Sequence, residues 1–84
     1  MERKVRFMSI EHVMIFEKEN NKIWVSVFNG QVSERYYDSF TVKSYRVIQN
    51  CTDEHEVISI LSYYYSNGYK LIEFIRKRIT VFDD

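Results

Sequence analysis

Short apolar segments separated by turn residues predict strands in the first half of the chain. The turns are Asn20-Asn21 and Asn29-Gly30, with a weaker one at Asp38-Ser39. Asn-Gly is typical of a hairpin because a type I′ turn needs positive φ at both central residues. The strands predicted between these turns cover residues 11–18, 22–28, 31–37 and 40–49, and residues 4–8 are a candidate edge strand.

The second predicted strand is apolar on both faces. Ile23, Val25 and Val27 point one way, while Trp24 and Phe28 point the other, because side chains alternate along a strand. A strand of this kind belongs in the middle of a sheet with one face under a helix. The pattern leaves open what covers the face that carries Trp24 and Phe28.

One amphipathic helix follows the predicted strands. Asp53 and Glu56 have the spacing of a capping box, and Asn67-Gly68 is typical of a helix end. The apolar positions between them recur at helical spacing and predict one buried stripe, formed by Val57, Ile60, Leu61, Tyr64 and Tyr65. Ser59, Ser62 and Ser66 lie largely on the polar side.

Residues 69–82 contain no Gly, Pro, Asn or Asp, which argues against a tight turn there. We therefore expect one long strand, bulged near Arg76–Arg78. The fold class predicted is α+β: a mainly antiparallel sheet of four to five strands, built as a β-meander, then one helix, then a returning strand, with the helix packed on one face. At 84 residues the chain is expected to form a single domain, residues 1–84.

Composition narrows the classes of function. Twelve basic and twelve acidic residues give a net charge of zero, which is not the basic excess typical of proteins that grip duplex DNA. The single cysteine, Cys51, cannot form an intramolecular disulfide, so we expect a reducing, cytoplasmic location. The longest uninterrupted apolar run, residues 13–16, is far shorter than a membrane span, so we expect no membrane partner.

The amino-acid usage indicates an AT-rich genome. The chain has no Ala, no Pro and two Gly, all of which have GC-rich codons, while residues with AT-rich codons are plentiful. We interpret this bias as typical of a low-GC bacterium, its phages or its plasmids. It favours a small accessory protein of a mobile element.

Candidate catalytic chemistry is sparse. Cys51 and His55 lie near a helix start, where a thiolate is favoured, but Asp53 and Glu54 in the same turn oppose it and four zinc ligands are lacking. The acidic residues are explained by capping and by the helix dipole. No phosphate-binding loop or hydrolase motif is present. We expect no enzymatic activity, no metal and no cofactor.

The aromatic residues give the main functional hypothesis. One helix covers one face of a sheet, so part of the aromatic set is left for the other face. Trp, Tyr and Arg are enriched at protein–protein hot spots. We therefore expect a small interaction module, for example an inhibitor of a host protein, or a homodimer. The predicted contact residues are Trp24, Phe28, Arg35, Tyr36 and Tyr37.

The alternative is single-stranded nucleic-acid binding at a basic sheet edge. Arg76, Lys77 and Arg78 would hold phosphates while Tyr45 stacks on a base. If the two ends of the chain are neighbouring strands, Arg3, Lys4 and Arg6 would extend this patch. The opposing explanation is that edge strands carry Lys and Arg to prevent aggregation.

Overall fold

The computed structural model describes the backbone of residues 4–83 and the side chains of residues 9–80. The elements follow the predicted order, four strands, one helix and a fifth strand. They are β1 (Lys4–Lys18), β2 (Asn21–Phe28), β3 (Gln31–Tyr36), β4 (Val42–Val47), α1 (Asp53–Ser66) and β5 (Lys70–Asp83). The fold is α+β, as predicted.

All five strands form one antiparallel sheet in the order β4-β3-β2-β1-β5. Strands β1 to β4 make a meander, and the chain then crosses the sheet through α1 so that β5 pairs with β1. Strand β2 is central, as its two apolar faces predicted. Strands β4 and β5 are the two edges.

Strand β1 is much longer than its partner β2. Pairing with β2 begins at His12, whereas pairing with β5 continues back to Lys4. Residues 4–11 of β1 and residues 77–83 of β5 therefore form a two-stranded arm that extends beyond the rest of the sheet. The molecule is accordingly elongated, with dimensions of 52 × 29 × 19 Å.

The turns follow the sequence signals with one shift. Asn29 and Gly30 both have positive φ, at 50° and 75°, and Phe28 pairs with Gln31, as expected for a two-residue hairpin. The first turn is Glu19-Asn20, and Asn21 already pairs with Lys18. Glu19 has a positive φ of 56° in this turn.

The core lies between α1 and one face of the sheet. Ile23, Val25 and Val27 point toward the helix and are buried, as predicted. From the helix, Val57, Ile60 and Tyr64 pack against them, and the Tyr64 ring stacks on Phe16 at 4.3 Å between centroids. Tyr65 was expected in this stripe but is 60% exposed, because position 65 lies about 80° around the helix from Val57.

The capping box predicted at Asp53 and Glu56 is wrong. The N-cap is Thr52, whose Oγ1 accepts a hydrogen bond from the backbone N–H of His55 at 3.2 Å. Asp53 instead accepts from the backbone N–H of Gly30, which ties the helix start to the β2–β3 turn. At the other end, Asn67 is the C-cap and Gly68 has a φ of 83°, as the sequence predicted.

Residues 70–83 form one strand, as expected. The bulge lies elsewhere than at Arg76–Arg78. Leu71 pairs with Phe16 and Glu73 with Ile15, which leaves Ile72 as the extra residue of β5. The three basic residues pair regularly with β1, Arg76 opposite His12 and Arg78 opposite Ile10.

Candidate functional site

The face of the sheet opposite α1 carries most of the predicted contact residues. We call it the open face because no helix lies on it in the described chain. The pairing registers place the following residues on it: Val13, Ile15, Trp24, Ser26, Phe28, Ser33, Arg35, Tyr45, Val47 and Ile75. Tyr37 follows the end of β3 on the same side.

Trp24 and Arg35 form the centre of the open face. They are opposite each other on β2 and β3, and the Arg35 guanidinium carbon lies 4.4 Å from the centroid of the Trp24 ring. A guanidinium over an indole face is attracted by the ring quadrupole and also covers apolar surface. The Tyr37 ring lies 6.4 Å from Trp24 at a tilt of 39°. The three side chains therefore make one continuous aromatic and basic surface.

The small apolar residues beneath this surface are fully covered. Val13 and Ile15 belong to the open face, yet they are buried. Ile15 lies opposite Trp24 on β2, and Val13 lies opposite Ile75 on β5. Large side chains of the same face therefore shield the centre of the sheet, and Trp24 and Phe28 are themselves half-buried.

Charged residues lie at two ends of the apolar centre. At one end Glu11 accepts a hydrogen bond from Ser26 Oγ at 2.9 Å, and Lys77 lies opposite Glu11 on β5. At the other end Lys22 and Glu17 are 3.8 Å apart, and the Lys22 ammonium lies 5.4 Å from the Tyr37 ring. An apolar centre with a polar rim is the usual anatomy of a protein interface.

Tyr36 does not join the other four predicted contact residues. It pairs with Ile23 and so faces the helix side of the sheet, where Lys43 lies 5.9 Å from its ring. Because side chains alternate along a strand, Tyr36 lies on the face opposite Trp24, although it lines a shallow pocket together with Tyr37 at the end of the sheet. That alternation was available from the sequence.

The residues of the nucleic-acid alternative are dispersed. Tyr45 is on β4 and Arg76–Arg78 are on β5, at opposite edges of the sheet. Lys77 points to the open face, while Arg76 and Arg78 point to the other, where Arg76 lies 5.1 Å from the Phe74 ring. The two chain ends are neighbouring strands, as that hypothesis supposed, and Lys4 lies opposite Asp83. Arg3 and the side chains of Lys4 and Arg6 lie outside the described residues.

Cys51 and His55 make no hydrogen bond to each other among the described residues. Both are exposed, and the Cys51 thiol donates to Glu56 Oε2 at 3.6 Å. Glu56 is buried and also forms an ion pair with Arg46 of β4. Within the described part of the chain, no three His, Cys, Asp or Glu residues cluster in a way that could hold a metal ion.

A cleft of about 540 Å³ lies between α1 and strands β3 and β4. Sequence reasoning missed it, because it depends on where the helix lies on the sheet. Its polar residues largely satisfy one another. Arg46 pairs with Glu56, and Lys18 donates to the backbone oxygen of Asn67 at 2.8 Å. Burial, helped by the nearby Glu34 carboxylate, raises the pKa of the Tyr64 hydroxyl above its ordinary range.

Comparison with known proteins gives no significant match to any family model, curated protein or solved structure. None of the described residues forms a helix that is both long and apolar enough to cross a membrane.

Proposed function

We propose that the chain is a non-enzymatic protein-interaction module that binds a partner protein through the open face of its sheet. The observation that carries the proposal is the Trp24–Arg35 stack, extended by Tyr37, at the centre of a face that α1 does not cover. Trp, Tyr and Arg are the residue types most often found at interface hot spots. A pre-stacked Arg–Trp pair also loses little side-chain entropy on binding.

The charges around the stack indicate what the partner presents. Lys22 is paired with Glu17, whereas Arg35 has no carboxylate within ion-pair distance among residues 9–80. A partner carboxylate beside an apolar side chain would match this arrangement, the apolar group lying on Trp24 and the carboxylate reaching Arg35. The proposed partner surface is therefore apolar and acidic.

The AT-rich composition bears on where such a module acts. A small protein encoded by a phage or plasmid can act without catalysis, by binding to the surface of a larger host protein. We place this chain in that class, as an accessory protein or inhibitor in the bacterial cytoplasm. The lysate of a low-GC bacterium is accordingly the source from which a partner is sought.

Tyr36 and Tyr37 supply a matched test. They are neighbours of the same residue type with similar exposure, but they lie on opposite faces of the sheet. A partner captured with the wild-type chain is purified, and its dissociation constant is measured by titration calorimetry. Tyr37→Ala is expected to weaken binding about 30-fold, which corresponds to the roughly 2 kcal/mol that defines a hot spot, while Tyr36→Ala leaves it unchanged.

Charge reversal tests the acidic character of the partner separately. Arg35→Glu is expected to weaken binding more than Tyr37→Ala does, because it sets two carboxylates against each other. Circular dichroism of each variant confirms that the sheet is intact. Equal losses from Tyr36→Ala and Tyr37→Ala, or undiminished binding by Arg35→Glu, would rule out the open face as the binding surface.

A further inference from the structure

Strand β5 leaves a long row of backbone groups unpaired. It spans 14 residues and pairs with β1 on one side, and no strand pairs with its other side within residues 4–83. An unpaired edge of this length can accept another strand, and proteins usually protect against that with a helix, a short strand or inward charges. Within residues 70–83, its Lys and Arg residues and the bulge at Ile72 are the features that could serve this purpose.

Apolar side chains accompany this edge on the helix side of the sheet. Ser59 and Tyr63 line the cleft beside β3 and β4. Positions 58 and 65 lie on the other flank of α1, toward β5. Ile58 is 63% exposed and Tyr65 60%, and the bulged Ile72 of β5 is 48% exposed. The edge of β5 is therefore flanked by uncovered apolar surface as well as by unpaired backbone.

Symmetry restricts how two copies of β5 can pair. In an antiparallel pair, residues directly opposite each other lie on the same face of the sheet. A two-fold axis between identical strands must then place one residue opposite its own copy, and every other pair follows from that choice. Each possible register can thus be judged by which charges it sets opposite each other.

Most central registers of β5 oppose like charges. An axis at Arg76, Lys77 or Arg78 sets that basic residue opposite its copy, and an axis at Glu73 does the same with a carboxylate. Because Ile72 is bulged out of the alternation, an axis at Phe74 places Lys70 opposite Lys77. Directly opposed like charges destabilise a strand pair. Axes nearer either end of β5 pair fewer residues.

The register centred on Ile75 has none of these conflicts. It sets Glu73 opposite the partner's Lys77 on the open face, twice by symmetry. On the helix side it sets Phe74 opposite the partner's Arg76, an arrangement that Arg76 already makes with Phe74 inside one chain at 5.1 Å. Both copies keep the same face toward the helices, so the open faces also join.

We propose that two copies of this chain dimerise by antiparallel pairing of their β5 strands about a two-fold axis at Ile75, which forms a sheet of ten strands. The basic residues that would otherwise protect the edge select this register, because each then faces an acidic or apolar residue. The proposal does not depend on the proposed function, since Trp24 and Arg35 remain uncovered in the dimer.

Charge exchange between Glu73 and Lys77 tests the register. Light scattering across a concentration series is expected to give twice the chain mass of 10.3 kDa for the wild type. Glu73→Lys and Lys77→Glu are each expected to shift the mass toward the monomer, and the double variant Glu73→Lys/Lys77→Glu to restore the dimer. Lys77 also lies opposite Glu11, so the thermal unfolding of each variant is measured in parallel.

A monomeric wild type at every concentration would overturn the proposal, as would single variants that dimerise as well as the wild type. A double variant that remains folded and monomeric would overturn the register. High salt provides a further check, because the single variants should recover part of their dimerisation when like charges are screened.

A cysteine at the axis tests the same register without altering charge. Cys51→Ser removes the only native thiol, which is exposed. In that background, Ile75→Cys brings two thiols together at the cross-strand Cα separation of about 4.5–5.5 Å, which suits a disulfide. Mild oxidation should then give a covalent dimer on a non-reducing gel.

Thr80→Cys is the matched control in the same background. In this register the bulged Ile72 is skipped, so Lys70 lies opposite the partner's Ile79. Thr80 lies one residue farther along and is roughly 33 Å along the strand from its own copy. The Thr80→Cys variant should therefore run as a monomer on the non-reducing gel. Efficient cross-linking at position 80, or none at position 75 in a folded variant, would contradict pairing about Ile75.

Discussion

His12 is buried, with one of its ring nitrogens lacking a hydrogen-bond partner among the described residues. Its side chain is 4% exposed, and the nitrogen concerned is Nδ1. An unsatisfied buried polar atom costs about 1–3 kcal/mol of folding free energy. His12→Leu is therefore expected to raise the free energy of unfolding by about 1 kcal/mol at neutral pH, measured by urea denaturation.

His55 provides the control, because it is exposed on the helix and His55→Leu should leave stability within about 0.5 kcal/mol. A clear loss of stability in His12→Leu would mean that the imidazole has a favourable role in the native protein.

Tyr64 makes stability depend on pH at the alkaline end. Burial is the main cause of its raised pKa, and the Glu34 carboxylate adds to it. Because the folded pKa lies above the unfolded value of about 10, the stabilisation is complete below pH 10 and is lost as the pH rises through the folded pKa. The free energy of unfolding should fall by about 1.4 kcal/mol per pH unit above pH 10 from this residue alone.

Tyr64→Phe isolates this contribution. The variant lacks the titrating hydroxyl. Its free energy of unfolding should therefore decline less steeply with alkaline pH, by the contribution of one proton, in urea unfolding measured from pH 9 to pH 11. Tyrosines that titrate alike in both states cancel from the comparison. Identical slopes for the variant and the wild type would place the titrating group elsewhere.

At the level of elements, the start of α1 shows how a correct helix can be assigned the wrong cap. Thr52 Oγ1 accepts a hydrogen bond from the backbone N–H of His55, whereas Asp53 accepts one from the backbone N–H of Gly30 in the β2–β3 turn. Thr52→Ala is expected to lower the free energy of unfolding by about 1 kcal/mol, the usual cost of losing an N-cap. Thermal or urea unfolding measures it.

Thr52→Ser is the matched comparison, because it keeps a hydroxyl and should retain most of the stability. Asp53→Asn should also cost stability, but through the contact with the β2–β3 turn. A neutral Thr52→Ala would contradict the assignment of Thr52 as the N-cap.

The elements that the sequence predicted best are those fixed by local chemistry. The Asn29-Gly30 hairpin follows from positive φ, the alternation of β2 from its two apolar faces, and the single strand Lys70–Asp83 from the lack of turn residues. The features that it missed depend on contacts distant in sequence. Asp53 could be assigned to Gly30, and the cleft beside Arg46 located, only once the helix had been placed on the sheet.

At the level of the whole molecule, the candidate site was predictable only in part. Alternation alone put Trp24 and Phe28 on one face, and the same rule would have separated Tyr36 from Tyr37. That β5 pairs with β1 rather than β4 has no local signal, because it depends on the path of α1 across the sheet. The edge that we propose for dimerisation is therefore a property of topology.

The arm formed by residues 4–11 and 77–83 should be the least stable part of the native sheet. It consists of two strands only, and an isolated two-stranded ribbon is marginally stable in water. Residues 13–16 are instead buried at the centre, between β2 and β5. In hydrogen exchange at low protein concentration, arm amides should exchange at least about 100-fold faster than those of residues 13–16, because they open locally without global unfolding.

The same experiment at high concentration links the arm to the dimer. Pairing of β5 with a second copy adds hydrogen bonds along residues 70–80, so their outward amides should slow with rising concentration while those of residues 4–8 change less. If amide exchange at residues 70–80 does not depend on concentration, the outer edge of β5 remains unpaired in solution and the proposed dimer does not form. Protection that rises in β4 (Val42–Val47) instead would show that the molecule associates through its other edge.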